Sequence, residues 1–316
     1  MPELPEVQTT VAGLQKVLPY LFIKEVWTDL DTKDVRAKDS VKHPSYFEYF
    51  KKEVATKRII EVTRRGKNIL IHLEDGKVIL IHMKMTGHLL FGKYEYDEKE
   101  NIWIPHKEQK NEALLDPFNK FIRVVFTLKD PKESGDKSII HLAFSDMRKF
   151  GKITLLEKEN LEKSSHLSSI GPEPLHPSFS PQQMMSVLMQ HPEWKIKTTL
   201  MDQSVIAGIG NIYSDEILWL SGIHPEEQVK NIPLNSFGEM YRSMKEVLTR
   251  GIDFGGDSMS DYRNIYGERG DFQNHHNAYR KTDEKCGKPH CKGVILRKVI
   301  GGRSAHYCSV HQKLLH

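Results

Sequence analysis

An α+β multidomain chain is the fold class this sequence predicts: a β-sandwich opened by one helix, then a helical domain, then a short hairpin bearing cysteine and histidine. Three observations carry it. Apolar residues at helical spacing begin the chain, short β-branched runs follow as far as residue 160 or so, and all the cysteines fall between Cys286 and Cys308. A length of 316 residues suits two or three domains at about 100–200 residues each. The divisions fall at 1–161, 162–180, 181–281 and 282–316.

Leu4, Val7, Val11, Leu14 and Leu18 recur at steps of three and four, the period of an amphipathic helix. Pro5 fits its first turn, where a missing N–H costs little. Runs at 58–62, 68–73, 77–82, 121–128, 139–144 and 151–156 are rich in Ile and Val and bounded by Gly, Asp or Lys, as antiparallel strands are. The polar, aperiodic stretch 94–119 reads as a surface insertion. Segment 162–180 holds Ser164-Ser165, Ser168-Ser169, Gly171-Pro172 and Pro174, the chemistry of a linker. Helix-period positions then mark 181–190, 196–201, 211–220 and 234–250. Gly208-Ile209-Gly210 feeds the third of these, and such a turn sets backbone N–H groups where a phosphate can sit. The stretch 251–279 is polar and glycine-rich.

Hydrophobic residues are 38% and charged residues 28%, which excludes wholesale disorder and fits a soluble chain. No apolar run nears the ~18–20 residues of a membrane span, and the first residues lack a basic segment followed by an apolar one, so no secretory leader is expected. Three cysteines clustered at one end do not resemble a disulfide scaffold and point to a metal site in a reducing compartment, the cytoplasm. A net charge of +4 predicts no polyanionic partner by itself. Its distribution does: between 281 and 316, Lys281, Lys285, Lys288, Lys292, Arg297, Lys298, Arg303 and Lys313 face only Asp283 and Glu284, the footprint of a phosphate-binding module.

Cys286-x4-Cys291-x16-Cys308-x2-His311 sets two ligand pairs apart by a strand–turn–strand length. Thiolate and imidazole in sets of four are what structural Zn²⁺ prefers. The β-prone 294–296 and 306–307 flank Gly301-Gly302, a hairpin turn. His290 competes with Cys291 for the first pair; Cys291 is the favoured ligand. One zinc per chain, structural and with no open coordination position, is the expected cofactor.

Pro2-Glu3-Leu4-Pro5-Glu6-Val7, Asp146-Met147-Arg148-Lys149-Phe150-Gly151, Gly208-Ile209-Gly210-Asn211-Ile212-Tyr213 and the terminal Cys/His hairpin occur in that order. Together, over essentially the whole chain, they resemble the formamidopyrimidine-DNA glycosylase / endonuclease VIII family, and within it the bacterial formamidopyrimidine-DNA glycosylase branch. The resemblance implies an N-terminal catalytic β-sandwich (1–161), a linker (162–180), a helix-two-turn-helix DNA-binding domain with a lesion-capping loop (181–281) and a zinc finger (282–316). It implies a bifunctional DNA glycosylase and abasic-site lyase of base excision repair, excising 8-oxoguanine and formamidopyrimidines from double-stranded DNA, as a monomer with no membrane association.

The chemistry this implies begins at Pro2. With the initiator Met removed, its secondary amine is free. An α-amine titrates near ~7.7–8.0, so a useful fraction is unprotonated at neutral pH. Attack on C1′ expels the base and leaves an iminium, which acidifies the 2′ hydrogens for β- and then δ-elimination. Glu3 matches the catalytic carboxylate, a group that must lie within hydrogen-bond reach of the sugar, and Glu6 matches a supporting one. Lys67 matches a hairpin lysine that contacts phosphate near the lesion, and His82 a phosphate-binding histidine. Asn211 and Arg303 resemble the remaining phosphate clamp, and Lys197 joins the DNA-binding set. A base in duplex must be extruded to be reached, and Met85, Arg148 and Phe150 match the trio that fills the void: plug, donor to the orphaned base, and wedge. The stretch 255–262 falls where the family has a mobile loop over the flipped base.

Three departures stand out. The first cysteine pair is spaced x4 where the family commonly has x2, with histidine as fourth ligand. Tyr279 is followed by Arg280 where glycine is frequent, while a Tyr266-Gly267 pair lies upstream. The 94–119 insertion has no evident role. Two rival functions remain: an endonuclease VIII-like glycosylase for oxidised pyrimidines, disfavoured by Leu4 and the complete void-filling set, and a non-catalytic damage-binding zinc protein, disfavoured by Pro2, Glu3 and Lys67 together.

Overall fold

The opening helix, α1 (Leu4–Val17), forms where the spacing predicts it. Leu4, Val7, Val11 and Leu14 are its buried face, and Leu18 just beyond it is buried too. The architecture described here is that of a computed structural model covering residues 1–107, 111–259 and 261–315. The chain folds into two compact units. The first comprises Met1–Pro2, Glu6–Ser168 and Gly255–Asp271; the second comprises Glu3–Pro5, Ser169–Phe254 and Phe272–His316.

In the first unit follow β1 (Phe22–Thr28), α2 (Pro44–Val54), β2 (Ile59–Arg65), β3 (Asn68–Leu73), β4 (Lys77–His82), β5 (His88–Gly92), β6 (Tyr94–Asp97), β7 (Ile102–Pro105), β8 (Ile122–Lys129), β9 (Ile139–Ser145) and β10 (Lys152–Glu157). Two four-stranded sheets, β1-β8-β9-β5 and β10-β4-β3-β2, are antiparallel throughout. Their inner faces share one core with α1 and α2, built on residues such as Val7, Phe50, Ile71, Ile81, Phe126 and Phe144. This is the predicted sandwich. Each β-rich run of the sequence is a strand, while β1, α2 and β5 are additional. A register shift between Ile23 and Glu25 breaks alternation in β1. In β5 a buried polar residue, His88, stands where an apolar one would mark the pattern.

The insertion is not merely surface. It contains the β6–β7 hairpin, and Tyr94 and Leu114 join a second small core with Leu90, Ile122 and Val125. Residues 108–110 of it lie outside the described residues. The stretch 255–271, grouped in sequence with the helical domain, packs with the first unit instead. Ile265 enters the sandwich core, and its carbonyl accepts from the Phe91 N–H (2.7 Å).

The second unit carries α3 (Pro181–Leu188), α4 (Ile196–Met201), α5 (Asn211–Ser221), α6 (Leu234–Asp253) and the hairpin β11 (Ile295–Ile300) with β12 (Arg303–Cys308). The stretch read as a linker has buried anchors, Leu167 and Phe179. Ser180 ends it and caps α3 reciprocally with Gln183, a capping box. Among the described residues no helix is long and apolar enough to cross a membrane.

Candidate active site

Local chemistry forces the glycine turn before α5. Gly208 has φ +88°, and a Cβ there would lie 2.6 Å from Leu4 Cβ; one on Gly210 would lie 2.4 Å from Glu3 Cδ. Glycine is what lets the Glu3 carboxylate reach the helix N-terminus. Its Oε2 accepts from the N–H of Gly210 (2.7 Å) and Tyr213 (3.4 Å), and its Oε1 from Ile212 (2.9 Å). The expectation of a phosphate on these donors is therefore corrected: the anion they hold is Glu3, since a helix N-terminus favours whatever negative charge reaches it. Gln203, which sequence reasoning missed, braces the turn by donating to the Ile209 carbonyl (2.7 Å) and accepting from the Gly208 N–H (2.9 Å).

Pro2 is buried in the first unit. Glu6, one turn along α1, is buried as well, and its Oε1 accepts from the Asp257 N–H (2.8 Å). Tyr262 donates its hydroxyl to the Glu6 carbonyl (3.0 Å). Lys67 lies in the β2–β3 turn after Gly66 (φ +56°) and is only 4% exposed. His82, at the end of β4, accepts the Lys84 N–H at Nδ1 (3.0 Å). Burial, then the nearby Lys84 and Lys67 charges, push it down to about 3. The ring is thus neutral at pH 7, and its protonated Nε2 is a donor suited to a phosphate oxygen.

Two turns present the expected void-filling trio. The buried Asp146 carboxylate accepts from the Thr86 hydroxyl, from the Gly151 N–H (2.7 Å) and from the Arg148 N–H (3.3 Å). Gly87 and Gly151 both press on the Phe144 ring, where a Cβ would lie 2.5 and 2.4 Å from ring carbons. Phe150 is left 50% exposed, Arg148 exposed and Met85 half-buried. The Arg148 guanidinium sits 4.6 Å from the Phe150 ring centre. A half-exposed phenylalanine stacked with an arginine is not core packing. Thr86 and Asp146 tie the two turns together, a link across sixty residues of chain that no spacing signal marked. The lesion-loop stretch 255–262 belongs to the first unit, and Ser260 within it lies outside the described residues.

In the second unit a cleft of about 620 Å³ is lined by Asn211, Tyr279, Arg280, Arg297, Arg303 and His306 among others, and, among the described residues, by no acidic one. It unites Asn211 with Arg303 and includes Tyr279 and Arg280, whereas Tyr266 is a half-exposed residue of the first unit. Lys197 does not join it as a surface contact. It is fully buried, and Nζ donates to Asp215 Oδ1 (2.6 Å), Ser214 Oγ (2.9 Å) and the Asn211 carbonyl (3.1 Å). All three ammonium donors are used, so its place in the DNA-contacting set is corrected to one beneath Asn211. Asp215 Oδ2 in turn accepts from the His306 N–H (3.1 Å) and Nδ1 (2.8 Å). This carboxylate, unmarked in the sequence, ties α4 and α5 to β12, the strand that starts at Arg303.

The hairpin turn is Gly301-Gly302, at φ +56° and +75°, the left-handed pair a tight two-residue turn demands. The donor atoms of Cys286, Cys291, Cys308 and His311 all lie within 4.8 Å of one another. Sγ of Cys291 and of Cys308 are 3.5 Å apart, near the ~3.8 Å edge of a tetrahedron with Zn–S of about 2.3 Å. His311 donates Nε2–H to the Trp219 carbonyl (3.0 Å). That bond leaves the Nδ1 lone pair facing Cys286 Sγ (3.5 Å) and Cys291 Sγ (3.7 Å), an arrangement that fixes the ligating tautomer. The set is Cys₃His and fits a structural zinc. His290 is exposed at φ +62° and stands outside it, so Cys291 completes the set.

The sequence profile described as formamidopyrimidine-DNA glycosylase N-terminal domain matches residues 1–153, and the one described as formamidopyrimidine-DNA glycosylase H2TH domain matches 170–263. A formamidopyrimidine-DNA glycosylase of Pelotomaculum thermopropionicum is 32% identical over 314 residues, covering 99% of this chain and 100% of its own. That of Bacillus subtilis is 32% identical over 309 residues, 98% of each. Among solved structures, Lactococcus lactis Fpg in complex with abasic-site DNA superposes at TM-score 0.79 with 28% identity, covering 98% of this chain and 99% of its own. The wild-type Lactococcus lactis protein with DNA containing N7-benzyl-Fapy-dG gives 0.78 and 28%, covering 99% and 100%.

Proposed function

We propose that this chain, which belongs to the formamidopyrimidine-DNA glycosylase family, excises oxidised purines from duplex DNA and cleaves the strand at the resulting abasic site through a Schiff base on Pro2. One observation carries the reading: Glu3, adjacent to Pro2, is buried with its carboxylate held by three backbone N–H groups. A buried, oriented carboxylate beside the proposed nucleophile is what general acid–base chemistry at the sugar requires.

Once Met1 is removed, the Pro2 nitrogen attacks C1′ and the C1′–N bond to the base breaks, the base leaving with the bonding pair and gaining a proton. Ring opening at O4′ takes a further proton and yields the iminium. Glu3 supplies and accepts these protons at the sugar, and Glu6 supports it from the next turn. Loss of a C2′ proton then expels the 3′ phosphate, and a second elimination expels the 5′ phosphate. Lys67, His82, Asn211 and Arg303 hold phosphates, while Met85, Arg148 and Phe150 occupy the gap left by the extruded base. Zinc, when bound, supplies rigidity to the hairpin that carries Arg303. The reaction belongs to base excision repair, and three thiols gathered for a metal are suited to the reducing cytoplasm.

Borohydride trapping on 8-oxoguanine:cytosine and abasic duplexes tests this. Adducts with both, mapping to Pro2 and weakened in Pro2→Gly, are expected. An adduct with the abasic duplex alone would move the substrate to oxidised pyrimidines. No adduct from protein shown by mass to begin at Pro2 leaves a damage-binding protein without catalysis. Glu3→Gln should slow base release by about 10²–10⁴-fold, the usual span for a general acid–base group, and Gly210→Ala, which drives a methyl into the Glu3 carboxyl, should approach it.

A further inference from the structure

The segment 111–119, the end of the insertion without an evident role, grips the residues that follow the lesion-loop stretch. Arg263 is almost fully buried. Its Nε and Nη2 donate to Asp116 Oδ2 (3.1 and 3.0 Å), Nη2 also reaches Oδ1 (3.2 Å), and the guanidinium lies 4.8 Å from the Phe118 ring centre. Asn111 donates to the Tyr266 carbonyl (2.6 Å), and Asn119 to the carbonyls of Ala113 (2.8 Å) and Gly267 (3.4 Å). Contact is close enough that a Cβ on Gly267 would lie 2.7 Å from the Ala113 carbonyl oxygen. From Arg263 the links run on: Nη1 donates to the Tyr262 carbonyl (2.8 Å), and the Tyr262 hydroxyl donates to the Glu6 carbonyl (3.0 Å) and contacts Thr10 Oγ1 (3.4 Å).

An arginine–carboxylate pair whose arginine is buried is weak evidence for stability, because desolvation offsets most of its Coulombic gain; what it supplies is geometry. Here a planar, bidentate fork fixes one arginine whose Nη1 fixes Tyr262, and Tyr262 fixes the turn of α1 that carries Glu6. We propose that Asp116 and Arg263 are positioning residues for base release, acting through Tyr262 to hold Glu6 in its working place. The proposal rests on the supporting role given to Glu6 above.

Single-turnover rates of base release from an 8-oxoguanine duplex, set beside strand cleavage at a preformed abasic site, test it on full-length, zinc-loaded protein beginning at Pro2. Asp116→Asn and Arg263→Ala should lower base release toward the ~10²-fold that a misplacement of about 1 Å can cause, with abasic-site cleavage changed much less. Arg263→Lys should restore part of the rate. The double variant Glu6→Gln/Asp116→Asn should be no slower than Glu6→Gln alone, the non-additivity of groups acting in series. Asn111→Ala, a half-exposed change that leaves the ion pair whole, should show the same selective loss in smaller measure and covers the case in which Arg263→Ala does not fold. A Glu6→Gln chain with full base release would overturn the role of Glu6 and this proposal with it. A slow Glu6→Gln beside an unchanged Asp116→Asn, additive losses in the double variant, or equal losses on both substrates would overturn the proposal alone.

Discussion

The sandwich and the Cys/His hairpin solve the same problem by opposite means. The sandwich closes over a continuous core of aliphatic and aromatic side chains from two sheets and two helices, so burial alone holds it. The hairpin has two strands, and in β11 only the end residues Ile295 and Ile300 are buried. Its core amounts to Trp219, Ala278, Cys286, Ile295 and Cys308. Two strands with so little apolar cover are marginal, and the Cys₃His set supplies what the core cannot. The lesson is that Arg303 depends on a ligand set for its place, while Phe150 and Arg148 depend on the Phe144 ring and the Asp146 hydrogen bonds of their own turn.

Removing the metal should break the comparison most sharply. Structural zinc carries on the order of 10 kcal/mol of local folding energy in small modules. Chelation is therefore expected to abolish amide-exchange protection across β11 and β12 and to weaken duplex binding, with the sandwich amides unchanged. Protection that survives chelation would show the hairpin to be self-sufficient. Next comes Phe144→Ala in the sandwich, expected to lose about 3–5 kcal/mol in denaturant unfolding. It should also loosen both turns that abut the ring, which binding to a duplex with an orphaned base would detect.

Acid should act on the sandwich through its buried histidines. Burial holds His88 and His141 down to about 4, and burial with neighbouring lysines holds His82 near 3, all below the usual 6.5. In this window the unfolded chain binds more protons than the folded one. Stability is thus full above about pH 6.5 and declines as pH falls toward 4, by up to about 1.4 kcal/mol per pH unit for each histidine. His141→Gln, which keeps an acceptor for the Tyr94 N–H, should flatten that slope in thermal melts between pH 6.5 and 4. The smallest effect belongs to Ser180→Ala at the start of α3: about 1 kcal/mol from the lost cap, read as a lower melting temperature with DNA binding intact.

Much of the candidate site was legible because its chemistry is local. Pro2 and Glu3 are neighbours, Cys286 to His311 is a spacing, and the Gly208–Gly210 turn is written in glycines. What stayed hidden is made of pairs distant in sequence. Thr86 with Asp146, Asp215 with His306, and Asp116 with Arg263 leave no periodic trace, since a hydrogen bond across sixty or more residues imposes no pattern on either neighbourhood. Lys197, placed with the DNA-binding set, misled for a related reason: its partner Asp215 leaves no mark beside it in the sequence, and only that carboxylate accounts for its full burial.

By itself the sequence determined the order of sandwich, helices and Cys/His hairpin, six of the sandwich strands, the helices α1 and α3–α6, and the ligands of the metal set up to the choice between His290 and Cys291. All of these rest on period, spacing or residue type; the family came through the resemblance of its motifs. Tertiary structure alone decided that Glu3, and not a phosphate, occupies the N-terminus of α5; that Cys291 is the fourth donor; and that 255–271 sides with the sandwich. Each is a competition between groups for one place, and a competition is settled by distance, which a linear chain does not contain.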